Sequence, residues 1–168
     1  TMLRNSVSPS AANTYDQYLY MFPEFVLLRM GRWQEILDNT TTIPADWSYA
    51  GLLHAFARGM AYAKTGKPAE ADECLAQLRI KQKDGQLKQR FVPHMSSPYE
   101  ASVVAEYILL ANIKFSRAKY KDAVKAVRKA VLAEDKLIYT EPKLWMLPAR
   151  QYLGAFYLQL KQPAAAEK

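Results

Sequence analysis

Few residues of this 168-residue chain have the type and spacing that catalysis or metal binding requires. His54 follows Leu53 in a predicted helix and His94 lies in a predicted loop, so the two lack the spacing of a metal-ligand pair. Cys74 precedes Leu75 on an amphipathic segment, and no nearby motif supplies a histidine that would activate its thiol. Ordinary structural roles therefore account for these residues better than chemistry does.

Sequence motifs of hydrolytic and nucleotide-dependent enzymes do not occur either. The chain contains no Gly-x-Ser-x-Gly, no phosphate-binding glycine loop and no His-Glu-x-x-His. The adjacent carboxylates of Glu134 and Asp135 fall at a predicted helix end, where solvation or capping explains them. We therefore expect a protein that is not an enzyme, without catalytic, metal-binding or cofactor-binding residues and without a cofactor.

The composition favours helices as the elements of the fold. Ala (24) and Leu (19) outnumber Val (8), Ile (6) and Thr (7), and there are only 6 glycines, which argues against a β-sandwich or barrel. The length and the 50% hydrophobic content suit one domain with a sizeable core. No apolar run reaches the roughly 18 residues of a membrane span, so we expect none.

The net charge of +7 is unevenly distributed along the chain. Residues 1–50 carry three basic and five acidic side chains, whereas the remainder carries 20 basic and 11 acidic ones. The basic residues of 79–90 and 114–129 suggest, as one alternative, a binder of nucleic acid or of an anionic surface. They are spread over predicted helices without glycine-rich or aromatic RNA-binding motifs, so we expect a solvated face and a protein or peptide partner.

Helix and turn signals divide the chain into hairpins of two helices each. The predicted hairpins cover residues of about 15–38, 50–80, 98–134 and 142–168 within a single domain, 1–168. In the second hairpin, Gly66 suits the left-handed position that ends a helix, and Pro68 suits the first turn of the next helix. The third hairpin opens with Ser97-Pro98-Tyr99-Glu100, which predicts a capping box. In the first hairpin, Pro23 is expected to kink or split the first helix.

The predicted fourth hairpin has lost most of its second helix. Only Pro163 to Lys168 follow the turn, and a helix that short is not stable alone in water. We therefore expect a fragment, or a last element that is disordered or supplied elsewhere. The apolar surface left open predicts self-association through this hairpin or a poorly ordered end.

These hairpins resemble tetratricopeptide repeats. That repeat has a small residue where its helices cross, a tyrosine three positions on, a turn glycine, and then alanine, a large apolar residue and alanine. The matching residues are Gly59, Tyr62, Gly66, Ala71, Leu75 and Leu78 in the second hairpin, Ala111, Lys114, Ala118, Ala123, Val127 and Ala130 in the third, Gly154, Tyr157, Lys161 and Ala166 in the fourth, and Gly31 in the first. The turn positions Gly31, Gly66, Ala118 and Lys161 lie 35, 52 and 43 residues apart, against about 34 in a regular array, so the repeats are divergent.

The stretches 29–37 and 139–154 are also similar to segments of bacterial tetratricopeptide-like proteins, and the resemblance covers most of residues 20–168. It implies a divergent right-handed superhelix of stacked hairpins, an α-solenoid. It further implies a non-enzymatic scaffold that binds a protein or peptide on its concave face.

The repeat register also predicts which residues line that concave groove. The candidates for partner contact are Phe56, Met60, Ile108, Asn112, Phe115, Gln151 and Leu158. The alternative for Phe56 and Met60 is packing against a neighbouring repeat. Gly59 and Gly154 are expected at close helix contacts. Arg150 is a candidate anion contact, with pairing to a neighbouring helix as the alternative.

Overall fold

A computed structural model describes residues 7–141 and 143–167. Within these ranges all regular structure is helical and no strand forms, which confirms the all-α class. The α-helices are α1 Thr14–Tyr20, α2 Phe22–Arg29, α3 Trp33–Asp38, α4 Ser48–Lys64, α5 Pro68–Lys81, α6 Pro98–Ser116, α7 Tyr120–Glu134, α8 Ala149–Gln159 and α9 Pro163–Ala166. A 3-10 helix, Gly85–Lys88, lies between α5 and α6. Residues 1–6, 142 and 168, which include the predicted limits of the domain and of the fourth hairpin, lie outside the described residues.

Local sequence signals set several of the helix ends. The Ser97 hydroxyl accepts a hydrogen bond from the Glu100 amide at 3.2 Å, and the Glu100 carboxylate accepts one from the Ser97 amide at 2.6 Å, which confirms the capping box. The first predicted helix is divided at Met21, and Pro23 lies in the first turn of α2. A proline there removes only an amide that would have had no intrahelical partner, so the predicted split is confirmed.

The same turn recurs between the paired helices. In the described part of the chain, positive φ occurs at Gly31 (69°), Gly66 (79°), Ala118 (57°) and Lys161 (57°), which are the predicted turn positions. After each of them, the next amide donates to a carbonyl five residues back, at 2.9 to 3.0 Å. This bond closes the end of the first helix and directs the chain into the second.

The order of helix contacts also recurs along the chain. The first helix of a pair packs on its partner in α2–α3, α4–α5, α6–α7 and α8–α9. The first helix of each following pair also contacts both helices of the preceding pair. Thus α4 contacts α2 and α3, α6 contacts α4 and α5, and α8 contacts α6 and α7. Helix α1 lies outside this order and packs on α4 and α2.

Two glycines that were both predicted at close helix contacts differ in their surroundings. A Cβ built on Gly59 would lie 2.8 Å from the Leu109 Cδ2 and 3.0 Å from the Cys74 Cβ, so Gly59 allows α4 to approach α5 and α6 closely. A Cβ on Gly154 would meet only the Ala166 carbonyl oxygen, at 3.8 Å. The prediction is confirmed for Gly59 and wrong for Gly154, because the short α9 leaves room beside α8.

The connector between α7 and α8 folds back into the core. Leu144, Trp145 and Leu147 are buried in the same cluster as the inner residues of α2, α4 and α6. The Trp145 ring makes edge-on contacts with Phe56 and Phe25, at centroid distances of 5.3 and 5.9 Å. The Trp145 indole N–H donates to the Leu147 carbonyl at 2.7 Å. The only polar atom of the buried indole therefore has a hydrogen-bond partner.

Candidate binding cleft

Most residues predicted to line the concave groove lie in the core instead. Phe56, Met60 and Ile108 are fully buried and belong to the cluster that contains Trp145. Asn112 is also buried, and its amide N–H donates to the Ile108 carbonyl one turn earlier, at 2.9 Å. For Phe56 the physical reason is the connector, because Trp145 packs on the Phe56 ring. These four residues therefore offer no accessible groove.

The remaining predicted groove residues do not come together with them. Phe115 stacks on Phe156 at a centroid distance of 4.3 Å and joins a second, smaller cluster between α6, α7 and α8. Gln151 and Leu158 lie exposed on α8, Leu158 with 60% of its surface accessible. The predicted set is thus divided between the core, the second cluster and the surface of α8.

Arg150 is paired with a carboxylate of the preceding helix end. Its guanidinium donates two hydrogen bonds to Asp135, at 2.6 and 2.9 Å. This contact holds the pKa of the Asp135 carboxyl below its usual value and raises the pKa of Arg150. The Arg150 side chain is 62% accessible, and its bidentate geometry is satisfied within the chain, as the pairing alternative predicts.

An open cleft of about 500 Å³ lies where α1, the start of α2, the loop before α6 and the connector after α7 meet. The residues that line it are Tyr15, Tyr18, Leu19, Phe22, Phe91, Val92, His94, Met95, Tyr139, Thr140, Glu141, Lys143 and Leu144. Five of them are aromatic, four are apolar and not aromatic, and four are polar or charged. A concave apolar surface with a few polar groups is the usual form of a ligand site.

The aromatic wall of the cleft is held by contacts between rings. Tyr15 packs edge-on against Phe91 at 5.2 Å, and Tyr18 packs edge-on against Phe22 at 6.3 Å. Behind this wall, the Tyr18 ring stacks on the ring of Tyr49 at 6.3 Å. The rings are fixed by the core while Tyr15 keeps 40% of its surface accessible, so the wall is preformed for contact.

The hydroxyl of Tyr18 is a buried polar group without a partner. It is shielded from solvent and forms no hydrogen bond within the described residues. Burial, and secondarily the neighbouring Tyr15, raises the pKa of Tyr18 to about 12, so the hydroxyl keeps its proton at neutral pH. An unsatisfied buried hydroxyl costs about 1–3 kcal/mol of stability, a cost that a bound acceptor or an ordered water would relieve.

The rim of the cleft carries polar groups of both charges. The Tyr139 hydroxyl donates to the Glu141 carboxylate, a bond that raises the pKa of Tyr139, and 70% of the Tyr139 surface is accessible. His94 and Lys143 are also exposed there. The cleft therefore has an apolar surface bordered by groups of both charges. Such a surface suits an extended peptide segment better than a strongly charged ligand.

The residues singled out first, from their chemistry, lie elsewhere. The thiol of Cys74 is buried in α5, and burial raises its pKa to about 11, so it is protonated at neutral pH. His54 contacts the buried carboxylate of Glu24 at 3.0 Å through its Nδ1. No cluster of three metal-ligating side chains occurs in residues 7–141 and 143–167, and none of the helices there is long and apolar enough to cross a membrane.

Sequence reasoning missed the cleft because its walls are distant in the chain. Tyr15 and Phe91 meet only through the fold, and Phe91 lies between the second and third predicted hairpins. The available signal was the density of aromatic residues between Tyr15 and Phe25. No protein-family model matches the chain, and no significant similarity was found to a curated protein or to a solved structure.

Proposed function

We propose that this chain is a tetratricopeptide-like α-solenoid that binds a protein partner through an extended segment and performs no catalysis. Two features support a repeat architecture: the recurring turn at Gly31, Gly66, Ala118 and Lys161, and the recurring order of helix contacts. Stacking of such pairs with a constant offset produces a right-handed superhelix. Self-association through the C-terminal hairpin stays a further prediction.

The aromatic cleft is the observation that carries the proposed function. In the repeat family the concave face is the usual peptide site, but here Trp145 occupies the corresponding surface beside Phe56. The cleft instead presents Tyr15, Phe91 and Tyr139 along an open surface of about 500 Å³. Aromatic-lined grooves suit proline-rich segments, whose extended conformation costs little entropy on binding and whose carbonyls accept hydrogen bonds from tyrosine hydroxyls.

Binding of nucleic acid is less well supported by the basic segments. Arg79 and Arg117 form ion pairs with Glu106 and Asp72, with N–O distances of 2.8 and 2.6 Å. Arg128 donates to the Tyr157 hydroxyl at 2.7 Å. Arginines already engaged within the fold are less available to phosphates, so we favour a protein partner.

A selection with displayed peptides tests the proposed function. Linear peptides selected on the wild-type chain are expected to be rich in proline and apolar residues. Tyr15→Ala should weaken their binding about tenfold, which corresponds to the roughly 1–3 kcal/mol of an aromatic hot spot. Ile80→Ala is the control, because Ile80 is also a large exposed side chain, on α5, but does not line the cleft. Peptides that bind Tyr15→Ala as tightly as wild type would contradict the proposal.

A further inference from the structure

A long groove runs between α6 and α7 on a surface distinct from the cleft. Two cavities of about 390 Å³ each lie along these helices, and they adjoin at Tyr107 and Lys129, which line both. The α6 residues along them are Tyr99, Val103, Tyr107, Leu110 and Lys114. Their spacing of three or four places them on one helix face, which extends for about 22 Å. We call these two adjoining cavities the α6–α7 groove.

The floor of the α6–α7 groove is apolar and partly accessible. Val103, Tyr107 and Leu110 are half-buried on this face of α6. Neighbouring helices pack against α6 elsewhere. Leu132 adds an apolar side chain from α7 with 62% of its surface accessible. A contiguous apolar strip of this length typically marks an interaction surface.

The rim of the α6–α7 groove is basic. Lys114, Lys125, Lys129 and Lys136 line it, and none of them forms an ion pair within the described residues. The Lys129 ammonium lies 5.6 Å from the centroid of the Tyr107 ring. The two lining carboxylates are Asp122 and Glu100, and Glu100 is engaged in the capping box of α6. The groove therefore carries an excess of unpaired positive charge.

We infer that the α6–α7 groove binds an acidic amphipathic helix of a protein partner. An apolar helix stripe fits the floor formed by Val103, Tyr107 and Leu110, and flanking Asp or Glu side chains reach the lysines on the rim. A groove of about 22 Å accommodates roughly 15 helical residues. This site is independent of the proposed peptide cleft, because the two share no lining residue.

The shape of the groove favours this occupant over other anions. A flat anionic membrane meets the rim lysines but cannot reach a floor that lies between two helices. An RNA strand would need exposed aromatic faces for stacking, whereas Lys129 lies over the ring of Tyr107. The apolar floor is complementary to the apolar stripe of an acidic amphipathic helix, and the lysine rim is complementary to its acidic side chains.

Titration with defined probes tests this inference. The first probe is an 18-residue Glu/Leu peptide with its leucines on one helix face, and the second is a scrambled peptide of identical composition. The full chain should bind the first peptide about tenfold more tightly than the second, and binding should weaken as salt rises. Absence of binding to the first peptide, or equal binding of both peptides, would overturn the proposal.

Charge reversal locates the site. Lys125→Glu combined with Lys129→Glu should weaken binding of the first peptide about tenfold or more. Lys67→Glu combined with Lys83→Glu changes the net charge equally at exposed positions outside the groove and should leave binding within about twofold. Equal losses in the two double variants would refute a specific groove. Tighter binding of an 18-nucleotide poly(U) RNA or of phosphatidylserine vesicles than of the peptide would assign the surface to those ligands instead.

Discussion

Replacing Gly59 with alanine tests a close helix crossing of the fold. The added Cβ would lie 2.8 and 2.9 Å from the two Cδ atoms of Leu109 and 3.0 Å from the Cβ of Cys74. Leu109 is fully buried and the Cys74 Cβ is attached directly to the backbone of α5, so neither moves freely. Overpacking of this kind costs about 1–3 kcal/mol, whereas alanine gains about 1 kcal/mol of helix propensity over glycine. We expect Gly59→Ala to lower the free energy of unfolding by up to about 2 kcal/mol.

Gly154→Ala is the matched control in α8. Its Cβ meets only the Ala166 carbonyl oxygen at 3.8 Å, so the gain in helix propensity of about 1 kcal/mol should appear undiminished. Urea unfolding followed by circular dichroism measures both variants, and Leu109→Ala should reduce the cost of Gly59→Ala by removing the crowded methyl groups. A Gly59→Ala variant as stabilised as Gly154→Ala would refute the close crossing.

The remaining predictions concern single polar and backbone features, each measured as a change in the free energy of unfolding. Tyr18→Phe removes a buried hydroxyl without a partner and should stabilise the chain by about 1 kcal/mol, whereas Tyr62→Phe loses a hydrogen bond from an arginine and should destabilise it. Ala118→Gly should stabilise the chain by about 1 kcal/mol because Ala118 has a φ of 57°, and Ala130→Gly inside α7 should do the reverse. Asp135→Asn should destabilise the chain at pH 7, and the loss of stability should be smaller at pH 2. The pKa of Asp135 is lowered in the fold. Its contribution to the free energy of unfolding is therefore fully present above the ordinary carboxyl pKa near 4, and it is lost as the pH falls through the pKa of the folded chain. A loss that is equal at both pH values would contradict that sign.

The parts of the fold that depend on local sequence were predictable. Gly66, the Ser97-to-Glu100 capping box and Pro23 act within one helix turn, so neighbouring residues determine their outcome. Ala118 and Lys161 are less obvious turn residues, and only their position in the repeat pattern indicated them. The all-α class followed from the same local preferences.

The site was not predictable because it depends on contacts between distant segments. The repeat register placed Phe56 and Met60 on a concave surface, but nothing local to Trp145 shows that its side chain folds back onto that surface. The approach of Phe91 to Tyr15 likewise depends on how a loop crosses α1. Gly154 had the expected residue type, but the short α9 leaves it without a close neighbour.

The most direct test of the proposed function is nuclear magnetic resonance spectroscopy of the chain bound to a selected peptide. Intermolecular nuclear Overhauser effects identify the side chains that the peptide contacts. Contacts from the peptide to Tyr15, Phe91 and Tyr139 are predicted. The resonances of Phe56 and Met60 should stay unchanged because both side chains are buried in the core. Contacts from the peptide to Phe56 and Met60, with Trp145 displaced, would contradict binding at the aromatic cleft. They would show instead that the concave face is the binding site.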